Sequence, residues 1–79
     1  MKTKTIYYAL WDMQCNRQMA TGLNATSKEE VKKGLWSYFE PDREEVFQTD
    51  DIDLIDLQLL LDVGEFLLME SEEPFEELD

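Results

Sequence analysis

Cysteine, histidine and paired carboxylates are the side chains that most often do chemistry, and this chain offers them unevenly. It has one cysteine, Cys15, no histidine, and nineteen Asp and Glu residues against seven Lys and Arg. A Cys15 nucleophile would need a neighbouring base, usually histidine, and the sequence provides none. A lone cysteine can form neither an internal disulfide nor a four-cysteine metal site. Gly22, Gly34 and Gly64 stand apart from one another, so no glycine-rich loop exists to cradle a phosphate. Carboxylate pairs can act as general acid and base. With nineteen acids in 79 residues, however, pairs arise by chance, and no pattern singles one out.

The closest approach to a metal motif is Asp51-x-Asp53. A calcium loop starting there would want an oxygen ligand at its fifth position, glycine at its sixth and glutamate at its twelfth. Those positions hold Ile55, Asp56 and Asp62. The apolar fifth residue and the missing glycine break the pattern, so the sequence predicts weak, unspecific attraction of divalent cations and no dedicated metal or cofactor site. These features together predict a non-enzymatic protein.

The acids are distributed unevenly. Residues 1–39 carry six basic and three acidic groups, while residues 40–79 carry one basic and sixteen acidic groups. The second half alone therefore amounts to −15 of a formal net charge of −12. That sign excludes direct binding to nucleic-acid phosphates and disfavours an anionic membrane surface. It favours a basic protein partner, whose approach such a field would steer. A run of charge is usually only a solvated face. Here the charge exceeds what solubility needs and works against a small domain's compactness. The predicted partner-binding acids are Asp50, Asp51, Asp53 and Asp56, then Glu70, Glu72, Glu73, Glu76 and Glu77, with Asp79 at the end of the chain. In its sharpest form the prediction is nucleic-acid mimicry, with carboxylates standing in for phosphates. Size and charge are like those of small phage-type inhibitors, a likeness of composition only.

The elements that must carry these residues follow from spacing. Residues 5–11 are β-branched and aromatic and predict a strand. Turn formers at Asp12 and Asn16 predict a hairpin loop of about five residues, with a second strand over 17–22. Ser27 and Glu30 have the spacing of a capping box, and Val31, Leu35 and Tyr38 or Phe39 share one helical face, so residues 27–39 predict a helix. Pro41 ends it. Residues 40–49 fit either a helical turn or a loop. Residues 51–62 fit a helical face through Ile52, Ile55, Leu59 and Val63, and equally a strand alternation from Leu57 to Val63. The acidic first turn, the leucine content and Gly64 at a C-cap position favour the helix. Residues 65–70 predict a third strand.

The fold class expected is α+β, a small three-stranded antiparallel or mixed sheet with two helices on one face in the order β-β-α-α-β. One domain over residues 1–70 would be followed by a solvated acidic tail over 71–79. Its core would hold Ile6, Tyr8, Leu10, Trp11, Val31, Leu35, Trp36, Phe39, Ile55, Leu59, Phe66 and Leu68, leaving little room for a substrate cavity. Helices on one face leave the other open, where strand alternation places Tyr7 and Trp11. Aromatic side chains there predict a second contact surface and, as the alternative function, a homo-oligomeric structural module; the chain is expected to be a monomer or homodimer. With no apolar leader and no apolar run long enough to span a bilayer, a cytoplasmic location is expected.

Overall fold

The computed structural model describes residues 4–77. Its sheet has three antiparallel strands, β1 (Tyr7–Asp12), β2 (Arg17–Gln18) and β3 (Phe66–Ser71), in the order β2-β1-β3. Three helices lie between β2 and β3: α1 (Lys28–Tyr38), α2 (Arg43–Phe47) and α3 (Leu57–Gly64). The α+β architecture expected from the sequence is present. The shortest principal extent is 16 Å, which leaves room for the sheet and one layer of helices.

β1 and β3 pair along their whole length, from Tyr7 opposite Ser71 to Asp12 opposite Phe66. Directly opposed residues share a face. Leu10, Leu68, Phe66 and Tyr8 therefore look toward the helices. Leu10 and Phe66 enter the buried core with Ala25, Val31, Leu35, Trp36, Ile55, Leu60 and Leu61, and Tyr8 and Leu68 pack against it. Trp11 belongs to the other face and stays outside this core.

α1 starts as its sequence dictates. The Ser27 hydroxyl accepts from the Glu30 N–H at 3.2 Å. The Glu30 carboxylate reaches back to the Thr26 N–H at 3.0 Å, one residue earlier than in a standard capping box. The helix stops at Tyr38, and Pro41 lies in a single 3-10 turn over Glu40–Asp42.

Several elements differ from the sequence prediction. The hairpin loop has four residues, because Asp12 still pairs with Arg17. Its carboxylate accepts from the Gln14 and Cys15 N–H groups, which closes the turn. β2 ends at Gln18 instead of running to Gly22. After Met19 donates to the Leu10 carbonyl, the chain turns away and returns only at an isolated bridge between Tyr8 and Ala25. Gly22 makes this detour feasible: its φ is +72°, a left-handed conformation that glycine adopts without a Cβ penalty.

The continuous helix expected over residues 51–62 is broken. Ile52–Leu54 forms a 3-10 turn, Ile55 and Asp56 are extended, and α3 starts at Leu57. The break resets the helical phase. Leu57, Leu60 and Leu61 face the core, while Leu59, expected inside, is 43% exposed. Gly64 is the last helical residue and not the left-handed cap; Glu65 takes that conformation at φ 55°.

Residues 40–49, open to either reading, contain a short true helix. α2 is held by Phe47, whose ring lies 5.7 Å from Trp36 and 5.4 Å from Phe39. Arg43 covers the Trp36 ring at 4.9 Å and pairs with Glu40.

Candidate partner-binding surface

Asp50, Asp51, Asp53 and Asp56 lie on the connection between α2 and α3 and not on one helix as the spacing suggested. All four are exposed. The two isoleucines between them are the anchors: Ile55 is buried in the core and Ile52 packs against it. The carboxylates are thus displayed from a pinned segment. Asp51 is also structural, since its carboxylate accepts from the Asp53 N–H at 3.0 Å and its own N–H donates to Thr49.

The fold gathers acids that the sequence reading passed over. Asp50 shares a shallow open groove with Glu40, Glu44 and Glu45, lined also by Pro41 and Arg43. Arg43 is the cation of this groove, and it is engaged with Glu40 and the Trp36 ring. The available signal was the acid content of residues 40–45. With residues 40–49 open to either a helical turn or a loop, that content defines no face.

The second acidic group is arranged differently. Glu70 is on β3, opposite Tyr8. Glu72 pairs with Lys4 at 3.1 Å. Glu73, Glu76 and Glu77 are exposed, but their segment is not a free tail. The Asn24 side-chain amide donates to the Phe75 carbonyl at 3.0 Å and accepts from the Phe75 N–H at 2.7 Å. Gln18 donates to the Glu76 carbonyl at 3.1 Å. Phe75 is half-buried, and Glu77 lines an open groove together with Asp12, Arg17 and Gln18. Paired backbone and a partly buried ring correct the expectation of a solvated tail for residues up to 77. Asp79 lies outside the described residues.

The two acidic groups do not form one site. Tyr38, just before the Glu40 segment, touches Phe66 at the start of β3, whereas Glu70 is near its end. Among the described residues, no three carboxylate or thiol side chains converge closely enough to hold a metal ion. Two ion pairs, Lys4–Glu72 and Arg43–Glu40, are present among the described residues. Every described Asp and Glu except Asp12 is exposed.

Tyr7 and Trp11 are half-buried on the sheet face away from the helices, with Ala9 fully buried between them. Their cross-strand partners on that face are Ser71, Met69 and Leu67, and Leu67 is 51% exposed. Gln18, opposite Trp11, brings the 75–77 segment to the β2 side of this face. The β3 side carries the remaining apolar surface. No described helix is long and apolar enough to cross a membrane. Comparison with family models, with curated proteins and with solved structures finds no match.

Proposed function

We propose that this chain is a non-catalytic acidic interaction module, a small regulator or inhibitor that docks on a basic protein surface. The observation that supports it is uncompensated charge on a pinned scaffold. The acids of residues 40–77 are exposed, and only Glu40 and Glu72 have a cationic partner within 4 Å among the described residues. Like charges held together in a small domain oppose its compactness, and a cationic partner relieves that repulsion. The groove of Glu40, Glu44, Glu45 and Asp50 extends the predicted surface and gives nucleic-acid mimicry a concrete locus, with several carboxylates along one short stretch. A cytoplasmic setting is part of this reading.

The test is capture of a basic partner from lysate at low and high salt, followed by affinity measurement with Asp50, Asp51, Asp53 and Asp56 replaced by asparagine and serine. Asn at position 51 keeps the local turn. Binding should fall with rising salt and fall further in the variant, while thermal unfolding stays close to the parent. Unchanged affinity would remove these four residues from the account.

A second reading has its own supporting observation, the apolar strip of Trp11, Leu67 and Met69 on the open sheet face. A homo-oligomer could bury it. Sedimentation at micromolar concentration would then report a dimer that a Trp11→Ser variant loses; a monomer at every concentration would rule this out.

A further inference from the structure

The two edges of the sheet are treated very differently. β2 is two residues long, the chain leaves its ladder at Met19, and the 75–77 segment is bonded alongside it. β3 is six residues long and forms the opposite edge. Natural edge strands are blunted by charged side chains, lysine above all, by proline, bulges or shortness. Phe66–Ser71 carries one charge, Glu70, with no lysine and no proline, and it pairs with β1 without a bulge.

The hydrogen-bond pattern identifies the exposed groups. Tyr8 donates to the Ala25 carbonyl and accepts from the Asn24 N–H, and the Leu10 carbonyl accepts from Met19. Tyr8 and Leu10 thus direct their backbone toward the β2 side. Consecutive residues of an antiparallel strand alternate between its two edges. Tyr7, Ala9 and Trp11 therefore bond across to Ser71, Met69 and Leu67. The contact from the Met13 N–H to the Glu65 carbonyl continues that phase. Phe66, Leu68 and Glu70 are left with N–H and C=O groups pointing away from β1, and no other described segment bonds to them.

We propose that the outer edge of β3 accepts an extended, cationic segment of a partner protein as a fourth strand. This rests on the acidic-surface reading and names how its second group of acids, the one around β3, engages a partner. Glu65, Glu70, Glu72 and Glu73 bracket the edge. Two copies of this chain joined there would bring these acids together across the seam, between chains that each carry −12. A cationic strand meets the opposite situation. Its residues bonded to Leu68 and Glu70 fall on the helix side, where a lysine or arginine opposes Glu70. Its alternate residues fall beside Leu67 and Met69 on the open face, where apolar side chains cover exposed hydrocarbon. The partner segment is thus an alternation of cationic and apolar residues. An edge of six residues makes a small, reversible interface.

The probe is a synthetic Lys-Val-Lys-Val-Lys-Val-Lys peptide, with Lys-Val-Lys-Pro-Lys-Val-Lys as a control of equal charge that cannot complete the ladder. Amide exchange is followed in the full chain. In the free protein, Leu68 and Glu70 should exchange fast while Met69, bonded to Ala9, exchanges slowly. The valine peptide should slow Leu68 and Glu70 at least tenfold at low salt and the control should not. Glu70→Pro, which removes an outward donor without costing a bond to β1, should weaken binding at least tenfold, and Glu70→Gln should weaken it less. If Glu70→Pro fails to fold, the exchange data on the parent chain decide. Equal binding of both peptides, or no protection of Leu68 and Glu70, would overturn the edge proposal while leaving the acidic surface standing. Protection that ignores salt would refute the acidic surface while leaving the edge in place.

Discussion

Gly64→Ala and Gly34→Ala are the same substitution in two helices, and the structure assigns them opposite signs. An added Cβ at Gly64 would sit 2.2 Å from Cε2 of Phe66 and 2.6 Å from Cδ2 and Cζ. Ordinary contact starts near 3.4 Å, so the ring must retreat by more than an ångström. Its retreat disturbs the packing around it, because Phe66 is buried with the Tyr38 ring at 5.7 Å and the Phe39 ring at 6.2 Å. Overpacking of this kind costs about 1–3 kcal/mol, against a helix-propensity gain of at most about 1 kcal/mol. The net is a loss of about 1 kcal/mol, or a fall in Tm of roughly 4–8 °C for a domain of this size. At Gly34, inside α1, a Cβ meets only the Thr21 methyl at 3.4 Å and the Gly22 nitrogen at 3.8 Å. There the propensity gain prevails, and Tm should rise by roughly 2–8 °C. Thermal unfolding read by tryptophan fluorescence compares the two directly. A Gly64→Ala, Phe66→Leu double variant should recover part of the Gly64→Ala loss, because the smaller side chain vacates the clash. If Gly64→Ala is as stable as the parent, the ring does not occupy that space and the reasoning about α3 and β3 fails.

Two further substitutions probe the supports of the candidate surface. Asn24→Gly keeps the left-handed backbone at φ 59° but removes both bonds to Phe75, so the Phe75 amide should exchange at least tenfold faster, with a loss of about 1 kcal/mol in urea unfolding; an unchanged Phe75 amide would show that Asn24 does not hold the segment. Ser27→Ala removes the α1 cap and should cost about 1 kcal/mol by the same assay, whereas no loss would mean that the Glu30–Thr26 contact suffices alone.

Local chemistry was readable wherever the physical cause is local. Ser27, Glu30 and Pro41 set both ends of α1 because capping and the proline restriction act within a few residues. The alternation of residues 6–11 separates the core-facing Tyr8 and Leu10 from Tyr7 and Trp11, since a strand's period of two needs no tertiary information. Apolar character alone, which puts Ile6 and Trp11 in the expected core, does not separate them. The charge asymmetry is likewise a property of composition. The described candidate acids are exposed, but their grouping depends on the fold.

The tertiary structure decided what depends on distant partners. Residues 51–62 carry two apolar patterns, and only the burial of Ile55 breaks the chain there and turns Leu60 and Leu61 inward in place of Leu59. α2 is too short to hold itself together and exists because Phe47 finds Trp36 and Phe39, which places Glu44 and Glu45 beside Asp50. Nothing in an acidic tail announces that Asn24, fifty-one residues earlier, will bind its backbone. The bare edge of β3 follows from strand order alone. Sequence sets which side chains can be buried and which carry charge, but which backbone groups go unpaired is settled only when every other strand has found its neighbour.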